Sequence, residues 1–143
     1  MRVRMTLLLA LVATPALAQS PAGEWVTEGD KARVRIAPCA GSANELCGAI
    51  TWSYRPPDAP AGPLVDMNNR DSSLRRRPIV GLPLLQGFKP AGEGSWEGGT
   101  IYDPESGKTY RSKFRLEGRD ALVVDGCILF VCQSQTWRRY AGG

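Results

Sequence analysis

The run from Lys108 to Glu117 constrains this chain more than any other stretch. Tyr110, Ser112, Phe114 and Leu116 fall on one face, and Thr109, Arg111, Lys113 and Arg115 on the other. A period of two means an extended strand with one face buried and one in water. Lys31 to Ile36 repeats the pattern, with Ala32, Val34 and Ile36 against Lys31, Arg33 and Arg35. Trp25-Val26-Thr27 precedes it, and Gly29-Asp30 predicts a tight turn between the two. Cys47 to Ser53 is a further extended run, with Ile50 and Trp52 expected on one face.

Strands resume after position 80. Leu82 to Lys89 is apolar, and Pro83 moves its start to an edge or a bulge. Ser95 to Asp103 follows, with Gly98-Gly99 predicting a bulge or sharp bend. Asp103-Pro104-Glu105-Ser106-Gly107 reads as a hairpin loop and Gly118-Arg119-Asp120 as a turn. Ala121 to Val124 and Ile128 to Trp137 complete the series. About eight short strands in meander order predict an all-β, antiparallel up-and-down barrel, which also removes sticky edge strands. Pro56, Pro57, Pro60 and Pro63 mark a stiff surface loop. Asp71 or Ser72 is placed to cap one short helical turn in that long loop, which Pro78 stops, and no other helix is expected after the N-terminus.

The first residues read as a targeting signal. Arg2 and Arg4 are basic, Leu7 to Ala13 is apolar, and Ala16-Leu17-Ala18 has the small-x-small form of a cleavage site. The apolar run is far below the roughly 18 residues a spanning helix needs. A signal peptide over 1–18 and one domain over 19–143 are therefore expected, with a periplasmic or secreted, non-spanning product. Losing Arg2 and Arg4 lowers the formal net charge from +4 to +2, too weak a surplus to point to nucleic acid.

The four cysteines support the same compartment. Cys39–Cys47 and Cys127–Cys132 are the favoured pairs, because each flanks a short stretch between extended runs. Crosslinks between the two pairs are the rival arrangement. Their spacing fits neither a zinc site nor a redox dithiol.

The chain has no histidine, which removes Ser-His-Asp and Cys-His catalysis and every His-ligated metal or haem. Gly107-Lys108-Thr109 lacks the earlier glycine of a phosphate loop, because position 102 is Tyr102, and a strand follows where a helix is needed. Asp66, Asp103 and Glu105 are carboxylates that turn chemistry already explains in part. Neither an enzyme, a metal nor a cofactor is expected.

Gly23-Glu24-Trp25 resembles the G-x-W signature of lipocalin-type barrels. That resemblance implies that Trp25 closes one barrel end and that an arginine near the last strand packs across it. Trp137-Arg138-Arg139 stands in that region, and Arg138 is the expected residue. Longer blocks carry a wider resemblance: Leu46-Cys47-Gly48-Ala49-Ile50, Leu74-Arg75-Arg76-Arg77-Pro78, Trp96-Glu97-Gly98-Gly99, Ile101-Tyr102-Asp103-Pro104 and Ser134-Gln135-Thr136-Trp137. Together they resemble a family of exported bacterial proteins known only as domain of unknown function 2147. The resemblance implies a lipocalin-like barrel and, by fold analogy alone, a small apolar ligand. It implies no catalytic residue set.

Two functions follow as expectations. The first is a monomeric carrier or sensor of a small, largely apolar or amphipathic molecule, lined by Trp52, Tyr54, Phe88, Trp96, Tyr102, Tyr110 and Phe114, with the Pro-rich and Leu74 segments as lid. The second is a protein-binding envelope module, an inhibitor or stability factor with a filled barrel. Arg70, Arg75, Arg76 and Arg77 form the candidate patch for an anion or partner, against the alternative of a solvated face or ion pairs with Asp66 and Asp71.

Overall fold

The computed structural model describes residues 19–142. Eight strands close into an antiparallel barrel in chain order: β1 (Gly23–Val26), β2 (Ala32–Cys39), β3 (Ser42–Ser53), β4 (Pro83–Pro90), β5 (Ser95–Asp103), β6 (Lys108–Glu117), β7 (Ala121–Ile128) and β8 (Val131–Arg139). The expected signal peptide, residues 1–18, lies outside the described residues.

Alternation became structure most directly in β6. Ser112 and Phe114 are buried, Tyr110 and Leu116 half-buried, and every lysine and arginine between them is exposed. In β2, Val34 and Ile36 are buried for the same reason. Bulges break the pattern elsewhere. Arg33 pairs with Trp52 but Val34 pairs with Ile50, so Thr51 is an extra residue in β3. That one insertion flips the strand. Ile50 is buried while Trp52 is 39% exposed, so the expectation that they share a face is corrected.

Pro83 begins β4 opposite Ala49, at a register shift in the β3–β4 ladder, where its missing N–H costs least. A further shift lies between Trp96 and Gly99, where the bulge was expected. Here glycine is needed for space: a Cβ on Gly99 would lie 2.4 Å from the Phe88 ring.

The helical turn is Ser72–Leu74, capped by Asp71, whose side chain accepts from the Ser73 N–H at 2.9 Å. A second 3-10 turn, Glu28–Asp30, stands where a simple tight turn was expected. β7 also runs further than expected, through Ile128, so the final hairpin turns at Leu129-Phe130. Both favoured disulfides are present, Cys39–Cys47 and Cys127–Cys132.

The up-and-down order gives the barrel two distinct ends. Loops 40–41, 91–94 and 118–120, with the segment before β1, lie at one. Loops 27–31, 54–82, 104–107 and 129–130 lie at the other. The core, with Trp25, Trp137, Phe88, Phe114 and Leu122 fully or almost fully buried, fills the first end.

Candidate functional site: an open cup above a filled half

The filled end is sealed by a pair of residues. Trp25 is fully buried, and its indole N–H donates to the Pro21 carbonyl at 2.8 Å. The guanidinium of Arg139 lies 4.3 Å from its ring centre. Arg139 also donates to the carbonyls of Arg119, Ala22 and Ser20 at 2.9–3.0 Å. The expected barrel-closing Arg138 is thus corrected to Arg139. The reason is the period of two: Trp137 and Arg139 share a face, while Arg138 points out and pairs with Asp30.

Above this floor the interior opens into a cavity of about 1380 Å³. Trp137, Val124, Ile50, Ile101, Ile79 and Leu84 supply its apolar lining, and Tyr54, Tyr110, Gln133 and Gln135 its polar groups. Gln135 is held in place by the Trp137 indole N–H, which donates to its side-chain oxygen at 3.0 Å. Lys31 and Glu105 pair at 3.2 Å from opposite sides of the mouth, both exposed and therefore contributing little stability.

Of the seven expected lining aromatics, Tyr54, Tyr102 and Tyr110 border this cup. Phe88, Trp96 and Phe114 do not. They stack on one another in the filled half, with ring centres 4.6 and 5.4 Å apart. Trp52 is on the outside, its ring 5.0 Å from the Arg33 guanidinium. Sequence reasoning missed Gln133 and Gln135. The same spacing that set Trp137 inward, read backwards along β8, reaches both.

The long segment 54–82 folds back on itself, with a bridge between Val65 and Pro78. Its anchor is Asp66, which is fully buried. The carboxylate accepts from Asn69 Nδ2 at 2.8 Å, Arg77 Nε at 2.9 Å and the Tyr102 hydroxyl at 2.6 Å. A buried charge is tolerated when it is this fully bonded. Burial, and then the bonded Asp66 carboxylate, push the Tyr102 hydroxyl up to about 12. Hydrogen bonds from Ser73 hold the Asp71 carboxyl below its ordinary range.

This network divides the arginine cluster. Arg77 is committed to Asp66 and lies over the Tyr102 ring. Arg75 donates to the Asn69 carbonyl at 2.8 Å. Arg70 borders a second, outer groove of about 1110 Å³, and Arg76 is exposed. Arg77 borders that same groove, so Arg70 and Arg77 share it, while Arg75 and Arg77 are already bonded within the segment. The Asp103-Pro104-Glu105 hairpin docks on the same segment through Asn68, whose Nδ2 donates to the Glu105 carbonyl at 3.0 Å. Gly107 makes that approach possible: it has φ +69°, and a Cβ there would meet the Asn68 carbonyl oxygen at 1.9 Å. Among the described residues no group of three or more His, Cys, Asp or Glu side chains converges to hold a metal.

The family described as an uncharacterized protein conserved in bacteria, DUF2147, matches residues 23–139. The chain belongs to this family. Its match spans the whole barrel, from the first residue of β1 to the last of β8. The structure of protein HP1028 from Helicobacter pylori, described as belonging to the lipocalin family, superimposes with a TM-score of 0.72. That alignment covers 87% of this chain and 85% of the other, at 19% identity, a likeness of fold. No curated protein matches the sequence. The DUF2147 chain is therefore a lipocalin-like barrel, closed at one end by Trp25 and Arg139 and open at the other.

Proposed function

We propose that this protein binds one small, largely apolar molecule in the open half of its barrel, outside the cytoplasm. The observation that carries this reading is the abrupt change from filled to empty along one interior. Large aromatics occupy the lower half, while the upper half leaves about 1380 Å³ over a floor of Trp137 and Val124. Ligand sites combine an apolar lining with a few placed polar groups. Tyr54, Tyr110, Gln133 and Gln135 are those groups here, suited to the polar end of an amphipathic molecule. The two disulfides and the N-terminal sequence support export, with cleavage near Ala18. The segment 54–82 acts as a fixed wall in this reading, since Asp66 anchors it.

The test begins with native mass spectrometry of protein recovered from the extracytoplasmic fraction, followed by organic extraction. A stoichiometric adduct is expected. Binding of a fluorescent palmitate analogue is then compared with Gly126→Leu. A Cβ at Gly126 makes only ordinary contacts, 3.7 Å from Ile101 and 3.9 Å from Tyr110, so the backbone there accepts a side chain, which a leucine extends into the cup. Affinity for the probe is expected to fall about tenfold or more with the fold intact. A protein that carries no adduct and binds no probe, or a variant that binds as well as the parent, overturns the reading.

A further inference from the structure

The tip of the β7–β8 hairpin borders the rim of the cup, yet its side chains are turned largely to solvent rather than packed into the lining. Ile128, Leu129, Phe130 and Val131 are consecutive, and they are 62%, 77%, 100% and 71% exposed. Leu129 occupies the first position of a two-residue turn with φ +53°, where glycine is favoured. A leucine there is both strained and solvated. Glycine, asparagine or aspartate would make a better turn, so folding gains nothing from this choice.

The hairpin is also built to project. β1 is four residues long, and β8 pairs with it only through Arg138 and Arg139. From Val131 to Trp137, β8 has a ladder partner in β7 alone. The Cys127–Cys132 disulfide clamps the two strands directly below the tip. Arg111 adds a brace, donating from Nη2 to the Leu129 carbonyl at 3.3 Å.

On its outer side the surroundings are mainly basic, with Asp71 the one carboxylate among the described residues that border the outer groove. Arg70, Lys108 and Arg111 border the same outer groove as Ile128, Leu129 and Phe130. Among the described residues none of these three forms an ion pair, whereas at the mouth Asp30 and Glu105 are paired with Arg138 and Lys31. An apolar point flanked on its outer side by cations matches an anionic lipid surface: the side chains enter the acyl boundary while the cations meet the headgroups. A stable protein interface needs on the order of 1,000 Å² of complementary surface, which one convex hairpin tip does not offer.

We infer that the open end of the barrel docks reversibly on anionic bilayers, with Leu129 and Phe130 inserted and Arg70, Lys108 and Arg111 on the headgroups. The docking stands on its own, whether or not the cup holds a ligand, because its readout is the position of the protein.

The experiment is cosedimentation of the disulfide-intact protein with vesicles of phosphatidylcholine alone, or with about one third phosphatidylglycerol. Binding is expected only to the anionic vesicles, and to weaken as salt is raised. Phe130→Ser is expected to weaken it at least about tenfold. Arg70→Glu with Lys108→Glu is expected to weaken it by about five-fold or more per residue. Leu129→Gly separates docking from folding, because it relieves the turn while removing an anchor. Its thermal midpoint is expected to hold or rise while vesicle binding falls. The proposal is overturned if the folded protein binds neither vesicle, or if Phe130→Ser and Leu129→Gly bind like the parent. It is also overturned if the tip instead mediates self-association, seen as a concentration-dependent dimer in sedimentation velocity that Phe130→Ser abolishes without any vesicle binding.

Discussion

The two ends of the barrel use the same kinds of residue for opposite purposes. At the closed end Trp25, Trp137, Phe88 and Phe114 are no more than 2% exposed, and one arginine seals the gap. At the open end Tyr54 is 52% exposed and Phe130 wholly so. The lesson is that aromatic content does not locate a binding site in a small barrel. What matters is where the filling stops.

The largest test of that contrast sets one aromatic from each end against the other. Trp25→Ala removes a fully buried side chain and is expected to destabilise the fold by about 3–5 kcal/mol. Phe130→Ala is expected to change stability by less than about 0.5 kcal/mol. Urea unfolding followed by circular dichroism measures both, and losses of equal size would erase the distinction between the ends.

The next test stays within β8. Arg139→Ala removes a cation packed on Trp25 and three bonds to carbonyls, and is expected to cost about 2–3 kcal/mol. Arg138→Ala removes only an exposed pair with Asp30 and is expected to cost less than about 1 kcal/mol. The reverse ranking in the same unfolding assay would move the seal to the outward-facing residue.

The last test belongs to the open end, and its pH dependence appears in alkali. Tyr102 keeps its proton in the folded state until about pH 12, whereas an unfolded tyrosine loses it near 10. Between those values the folded state binds more protons, so stability falls as pH rises through this window. Tyr102→Phe is expected to flatten that part of the stability profile, because the titrating group is gone. A slope unchanged in the variant would show that the hydroxyl bonded to Asp66 is not its source.

The architecture was legible because β2 and β6 alternate without interruption and because the turns between most strands carry glycine, proline or aspartate. Legibility failed where the period slips. Thr51 inserts one residue and sends Trp52 outside, and no composition signal marks it. The last hairpin was hidden for another reason. Leu129-Phe130 lacks every residue that normally announces a turn, so Ile128 to Val131 reads as the interior of one strand. The lining was half legible: Tyr110 follows from the alternation of β6, while Phe114, on the same face, lies lower and is absorbed into the core. A linear pattern gives the face of a residue but not its height along the barrel axis. The Asp66 network was partly legible: an ion pair between the arginine cluster and Asp66 is among the sequence expectations and Arg77 makes it, but Asn69 and Tyr102 join through three-dimensional contact alone.

The two disulfides each close within a single hairpin, over separations of 8 and 5 residues. During biogenesis each cysteine therefore finds its partner among its nearest neighbours along the chain, before any distant strands have met. Neither bond has to wait for the barrel to close, and the order in which the two form is immaterial. Short loops of this kind favour the native links over crossed ones when the chain is oxidised.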